Sequence, residues 1–247
     1  MTDPWRRRVE LAEGRATLYE GDALRVLPVI GPVDHIITDP PYSERTHSGH
    51  DSSSRRDAST VSRESQLSRP LGYKFWTDKD ADAFADVACR ASSGWIVWMC
   101  DHGFARTIEC SLQSRDRYVF APLPYVAEGS SIRLAGDGPS SWTVWVIVSR
   151  TAAQHRWGTL PGAYVRRSGW DKPKKMGGKP VALMDRIVSD YSRPGDLVCD
   201  PCMGRASTAL ACLNTGRRFV GIECDSAEFD AACERIDHAS RQGRLFA

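Results

Sequence analysis

The 247-residue chain is short of several things. No apolar run approaches the ~18 residues that a membrane span requires. The opening Met1-Thr2-Asp3-Pro4-Trp5-Arg6-Arg7-Arg8 leads into no hydrophobic stretch, so no secretory leader and no membrane association are expected. There is no internal repeat. The glycine patterns of a dinucleotide loop (GxGxxG) and of a phosphate-binding loop (GxxxxGK[ST]) are both missing, which removes two large classes of nucleotide-dependent enzyme. Cys199 and Cys202 have CxxC spacing but lack a second ligand pair, so no metal site is expected. Net charge is only +2, so the distribution of basic residues carries more information than their total.

What is present suits one α/β domain, with 41% apolar residues to fill its core. The eight cysteines sit in apolar runs such as Trp95–Cys100 and Leu197–Cys199, and are expected to be buried thiols in a reducing cytoplasm. Ala16–Tyr19, Val33–Thr38, Trp95–Cys100, Leu197–Asp200 and Arg218–Glu223 read as strands. Several are apolar on both faces, the mark of a strand buried in a parallel sheet. Thr77-Asp78-Lys79-Asp80 is a capping signal for a helix whose apolar face carries Ala83, Phe84, Val87 and Ala88. Phe104–Leu112, Lys179–Tyr191 and Arg205–Leu213 follow as helices, and Asp225 with Glu228 caps the last one. Arg117–Val126 and Trp142–Val148 form a strand pair joined through 129–141. Strands alternating with helices indicate a mostly parallel, doubly wound sheet.

Two segments carry chemistry. The first is Asp39-Pro40-Pro41-Tyr42, at the end of a buried strand, where ligands of open α/β sheets bind. Methylating an aromatic amine requires a lone pair freed from the ring. One carboxylate and one carbonyl, each accepting an N–H, pull the nitrogen toward sp³ and stabilise the charge that develops. Asp39 supplies the carboxylate, and the diproline can aim a carbonyl without leaving an orphan donor. Tyr42 offers a face for a base taken out of the duplex.

The second is Leu197 to Thr208 followed by Arg218 to Glu223: strand, turn with Gly204, helix, strand, acid. Such a unit holds an adenosine cofactor, with backbone approaching at Gly204 and Glu223 placed to accept from ribose hydroxyls. Asp200 suits an aminopropyl group and repels a pyrophosphate.

Taken together these segments resemble the DNA amino-methyltransferases. The catalytic segment precedes the cofactor loop, as in their permuted β-class. The resemblance is specific over about 15–42 and 170–238. It implies a Rossmann-like fold of the S-adenosylmethionine-dependent methyltransferases, circularly permuted, with a mixed seven-stranded sheet in the order 3-2-1-4-5-7-6 and strand 7 antiparallel. It implies that Asp39, Pro40, Pro41 and Tyr42 act on the target amine, and that Asp39 also borders the cofactor. Asp22 would lie beside the cofactor adenine, Glu223 on its ribose, and Asp200, Cys202, Gly204, Ser207 and Lys179 around its amino-acid end. The chain departs from the family where Cys202 replaces a Phe and Ala206 a Gly, and Arg205 would bring a cation close to the sulfonium. Ala206 is strained if its φ is positive.

The resemblance divides the domain into a catalytic half (1–149), a target-recognition segment (150–178) and a cofactor-binding half (179–247). Residues 43–72, rich in Ser, Arg and His, read as a mobile loop. Between Arg150 and Lys179 there are eight Arg or Lys residues against one acid, Asp171, with Trp157, Tyr164 and Trp170 interleaved, as a nucleic-acid surface needs. So short a reader suits a small target in double-stranded DNA, or a homodimer that adds a second surface. The expected activity is transfer of a methyl group from S-adenosylmethionine to adenine N6 of a flipped base. Cytosine N4 is the near alternative, and a DNA-binding pseudoenzyme with a degraded cofactor loop the distant one. A bacterial or phage-borne enzyme at the nucleoid is implied.

Overall fold

The computed structural model describes residues 3–44, 46, 75–127, 143–152, 157–166 and 178–244. The expected mobile loop at about 43–72 apart from residues 43, 44 and 46, the connection 129–141 and about half of the basic segment 150–178 lie outside these residues.

Among the described residues ten strands, three more than the seven expected, form one sheet: β1 (Trp5–Leu11), β2 (Ala16–Gly21), β3 (His35–Thr38), β4 (Ile96–Cys100), β5 (Tyr118–Val119), β6 (Leu123–Val126), β7 (Thr143–Arg150), β8 (Tyr164–Val165), β9 (Leu197–Asp200) and β10 (Arg218–Glu223). Their order is β1-β2-β10-β9-β3-β4-β7-β6-β8, with β5 also on β7. From β2 to β4 all pairings are parallel, and β7 is antiparallel to both β4 and β6. With β9 counted as strand 1, the run from β2 to β6 is the expected 3-2-1-4-5-7-6. The late strands β9 and β10 slot between the early strands β2 and β3, so the two ends of the chain build one edge together.

Helices cover both faces. On one lie α1 (Ala23–Val26), α2 (Asp78–Ala91) and α3 (His102–Gln113), packed on Ile36, Ile96, Trp98 and Ile222. On the other lie α4 (Val181–Tyr191), α5 (Ser207–Asn214) and α6 (Ser226–Arg244), packed on Leu18, Ile37, Val97 and Val198. Successive residues of β3 and β4 enter opposite cores, which is why these strands read as unbroken apolar runs. The expected cap of α2 is present: Thr77 and Asp80 form a reciprocal capping box.

Several expectations need correction. The edge strand β1 was unforeseen, because Trp5–Leu11 is polar and half-exposed and buries no apolar stripe. Arg117–Val126 is two strands, since the chain leaves the ladder between Val119 and Leu123, where Pro122 lies. Ala83 faces solvent, while Ala81 and Ala85 are buried. Lys179 precedes its helix, whose N-cap is Pro180. Cys110 and Cys224 are exposed, although Cys100, Cys199 and Cys212 are buried. Trp157 and Tyr164 are packing anchors: the indole donates to the Asp190 carbonyl at 2.6 Å, and the Tyr164 hydroxyl donates to the Asp190 carboxylate at 2.8 Å. Arg193 stacks on the Trp157 ring at 3.9 Å. No described helix is long and apolar enough to cross a membrane.

Candidate active site

The carboxyl ends of β2, β10, β9, β3 and β4 share one edge of the sheet, and each ends at an acid: Asp22, Glu223, Asp200, Asp39 and Asp101. At the ~4.8 Å spacing of paired strands, the four from Asp22 to Asp39 span roughly 14 Å. Residues 39–42 and 200–208 are therefore brought together, as expected. A direct bond ties them: the Thr38 hydroxyl donates to Asp200 Oδ1 at 2.8 Å.

Asp39 is half-buried and Pro40 buried. The Tyr42 hydroxyl donates to Asp39 Oδ1 at 2.9 Å, and the Lys179 ammonium donates to Oδ2. That ammonium lies 5.2 Å from the centre of the Tyr42 ring. The chain leaving Tyr42 is held from below. Asp101 accepts from the Ser43 amide (3.0 Å), the Ser43 hydroxyl (2.6 Å) and the Thr46 hydroxyl (2.5 Å), while its other oxygen caps α3 through the Phe104 amide (3.0 Å). Burial works against this carboxylate, but its many donors outweigh the penalty and hold its proton affinity below the ordinary value. Sequence reasoning missed Asp101. Its signal was an acid immediately before a helix, the signature of an N-cap.

Asp200 points inward. Its oxygens accept from Thr38, from the Thr208 hydroxyl at 2.6 Å and from the Cys202 amide at 3.1 Å, and it is 2% exposed. Burial pushes its pKa up to about 6 despite those donors, and the charge on Asp39 adds to the effect. Asp200 is thus a strut that fixes the turn 201–206, and Thr38 and Thr208 are its partners, which carried no signal in the sequence. The turn crosses β10 closely: the Met203 amide donates to the Ile222 carbonyl at 3.0 Å, and any side chain at Gly221 would collide with the Met203 sulfur. Gly204 and Ala206 both adopt left-handed backbone, with φ of 47° and 63°. At Ala206 this is the strained alternative, held by complete burial of its side chain.

Glu223 is also committed to backbone, accepting from the Gly204 amide at 2.9 Å and the Asp225 amide at 2.8 Å. The Cys224 amide and thiol donate to it as well. Burial raises its pKa. Asp22 is exposed and N-caps α1 through the Leu24 amide at 2.8 Å. Cys202 is half-buried, and burial beside Asp200 keeps its thiol protonated. The Ser207 hydroxyl accepts from Arg235 at 3.2 Å, so it faces α6. Arg205 pairs with Glu228 at 2.9 Å on the exposed side and does not point toward Asp39 as a cation beside a sulfonium would. Among the described residues no cluster of His, Cys, Asp and Glu is arranged to hold a metal.

Residues 138–234 match the family model of the DNA methylases. DNA adenine methyltransferase YhdJ of Escherichia coli K12 is 42% identical over 62 residues, which cover 25% of this chain and 21% of that relative. The chain thus spans about a fifth of the length of this curated relative. The solved complex of M1.HpyAVI with S-adenosylmethionine has a TM-score of 0.65 at 20% identity, over 90% of this chain and 99% of that one. The cytosine-N4-specific PvuII DNA methyltransferase has a TM-score of 0.61 at 13% identity, over 92% of each chain. These two likenesses show a shared fold. The stretch 138–234 that matches the DNA methylase model holds the turn 201–206 and Glu223.

Proposed function

We propose that this chain transfers a methyl group from S-adenosylmethionine to the exocyclic amine of a base flipped out of double-stranded DNA, with adenine N6 as the target. The observation that carries this reading is the row of strand ends. Asp22, Glu223, the 201–206 turn and Asp39 follow one another over roughly 14 Å, about the length of an adenosyl amino acid. The residues present fit that group. Asp22 would face its adenine and Glu223 its ribose hydroxyls. Gly204, Cys202, Ser207 and Lys179 would surround its amino-acid end, with Asp200 acting through the shape of the turn. When bound, the cofactor supplies an activated methyl on a sulfonium.

The protein's own part lies at Asp39. Its carboxylate accepts one N–H of the amine and the Pro40 carbonyl accepts the other, which frees the nitrogen lone pair and stabilises the charge that develops there. Tyr42, anchored by its hydroxyl on Asp39, presents its ring to the unstacked base. Adenine is favoured by Asp as the first residue of this segment and by the likeness to YhdJ. Double-stranded DNA as partner rests on the basic composition of 150–178, and a homodimer would add the second surface that so short a reader needs. The enzyme would act on nucleoid or phage DNA in the cytoplasm.

The test is incubation of unmodified DNA with labelled S-adenosylmethionine, followed by nucleoside mass spectrometry. N6-methyladenine is expected, and an Asp39→Asn variant should lose at least about 100-fold in rate. N4-methylcytosine would transfer the reading to the cytosine enzymes. Full activity in the variant would refute the role of Asp39, and a wild-type chain that neither binds the cofactor nor methylates DNA would be a pseudoenzyme.

A further inference from the structure

Asp39 is expected to receive the target amine, yet both its oxygens already have donors, Tyr42 on Oδ1 and Lys179 on Oδ2. The same ammonium sits 5.2 Å from the centre of the Tyr42 ring, so one cation covers both the acceptor and the stacking face. The Lys179 side chain is 8% exposed and that of Asp39 21%, so this pair is shielded from water, unlike an ordinary surface ion pair. A base whose amine rests on Asp39 would meet both donors at the same carboxylate. Methylation also builds positive charge on that amine, which an ammonium on the same carboxylate would oppose. That opposition favours Lys179 leaving Asp39 before transfer, and its flexible stem allows this with the backbone in place.

Charge indicates what draws it away. The edge is lined by the carboxylates of Asp39 and Glu223, and Arg205 is turned outward onto Glu228. Among the described residues of this edge, Lys179 is the buried cation. A ligand whose amino-acid end carries a carboxylate can pair there with Lys179, provided Lys179 releases Asp39. We propose that Lys179 is a two-position latch. On Asp39 it closes the base site, and on the carboxylate of S-adenosylmethionine it leaves that site open. The latch rests on the methyltransferase reading and adds an order to it: cofactor first, base second.

The test is calorimetric titration of S-adenosylhomocysteine, and of 5′-methylthioadenosine, which lacks the amino-acid end. Both have an uncharged sulfur, so removing the Asp39 charge cannot act through a sulfonium. Asp39→Asn takes away the competitor for Lys179 and should tighten S-adenosylhomocysteine by about three- to tenfold, leaving methylthioadenosine unchanged. Lys179→Met should weaken S-adenosylhomocysteine by at least as much, again without effect on methylthioadenosine, whose constant affinity shows that each variant is folded. In the Lys179→Met background the gain from Asp39→Asn should vanish. The latch is overturned by an unchanged or weaker S-adenosylhomocysteine affinity in Asp39→Asn, by a gain that persists without Lys179, or by equal shifts for both ligands. If neither ligand binds the wild-type chain, the methyltransferase reading fails first and the latch with it.

Discussion

Replacing Asp200 by Asn should stabilise the protein, and only above a defined pH. Burial lifts this carboxylate from an ordinary 3.8 to about 6. Each tenfold change in proton affinity is worth about 1.4 kcal/mol. Ionised Asp200 therefore costs the folded chain about 3 kcal/mol relative to the unfolded one. The folded state holds this proton more tightly, so the cost is absent below pH 4, grows between 4 and 6, and is complete above. Asparagine keeps the geometry. Its oxygen still accepts from Thr38 and the Cys202 amide, and its nitrogen can donate to the Thr208 hydroxyl, which is free to turn. Urea unfolding of both proteins from pH 4 to pH 8 is the assay. The stability gained by the variant should rise from near zero at pH 4 to a plateau above pH 6 of at most about 3 kcal/mol. A difference independent of pH, or a variant less stable at pH 7.5 by more than about 1 kcal/mol, would refute the reasoning, because hydrogen bonding and not desolvation would then dominate at this residue.

Three further outcomes follow from the same geometry. Glu223→Ala removes the acceptor for the Gly204 and Asp225 amides and should weaken S-adenosylhomocysteine by about 1–3 kcal/mol in calorimetry; unchanged affinity would move the ribose elsewhere. Asp101→Ala frees the Ser43 and Thr46 donors and uncaps α3, and should cost about 2–3 kcal/mol at pH 7 in urea unfolding, more than the ~1 kcal/mol of a cap alone. Because folding lowers the Asp101 pKa from 3.8, its contribution is present above that value and fades as pH falls below it, so wild type and variant should converge in acid. Ala206→Gly relieves a left-handed backbone at the loss of a buried methyl and a more flexible unfolded chain, terms of about 1 kcal/mol each, so its stability should stay within about 1 kcal/mol of wild type; Ala206→Val should lose more than about 2 kcal/mol, and equal stability of the two variants would dismiss the strain.

Much of the architecture could be read from residue order alone. Strands β9 and β10 fall on the residues expected, as does the capping box at Thr77, and both chemical segments lie at strand ends. Periodicity and turn chemistry act over a few residues, so they are encoded locally. The edge strand β1 escaped because its register comes from pairing with β2, and its few apolar residues, Trp5, Val9 and Leu11, are only partly buried. Contacts between distant segments were settled by packing. Lys179 and Asp39 are 140 residues apart and meet only because β9 and β10 insert beside β3. Asp200 turns into the core and Arg205 away from the site, and Trp157 and Tyr164 close on α4 where a free DNA surface was expected. Residue types and spacing state which chemistry is available; side-chain direction depends on which neighbours the sheet order supplies and which polar partners burial makes obligatory.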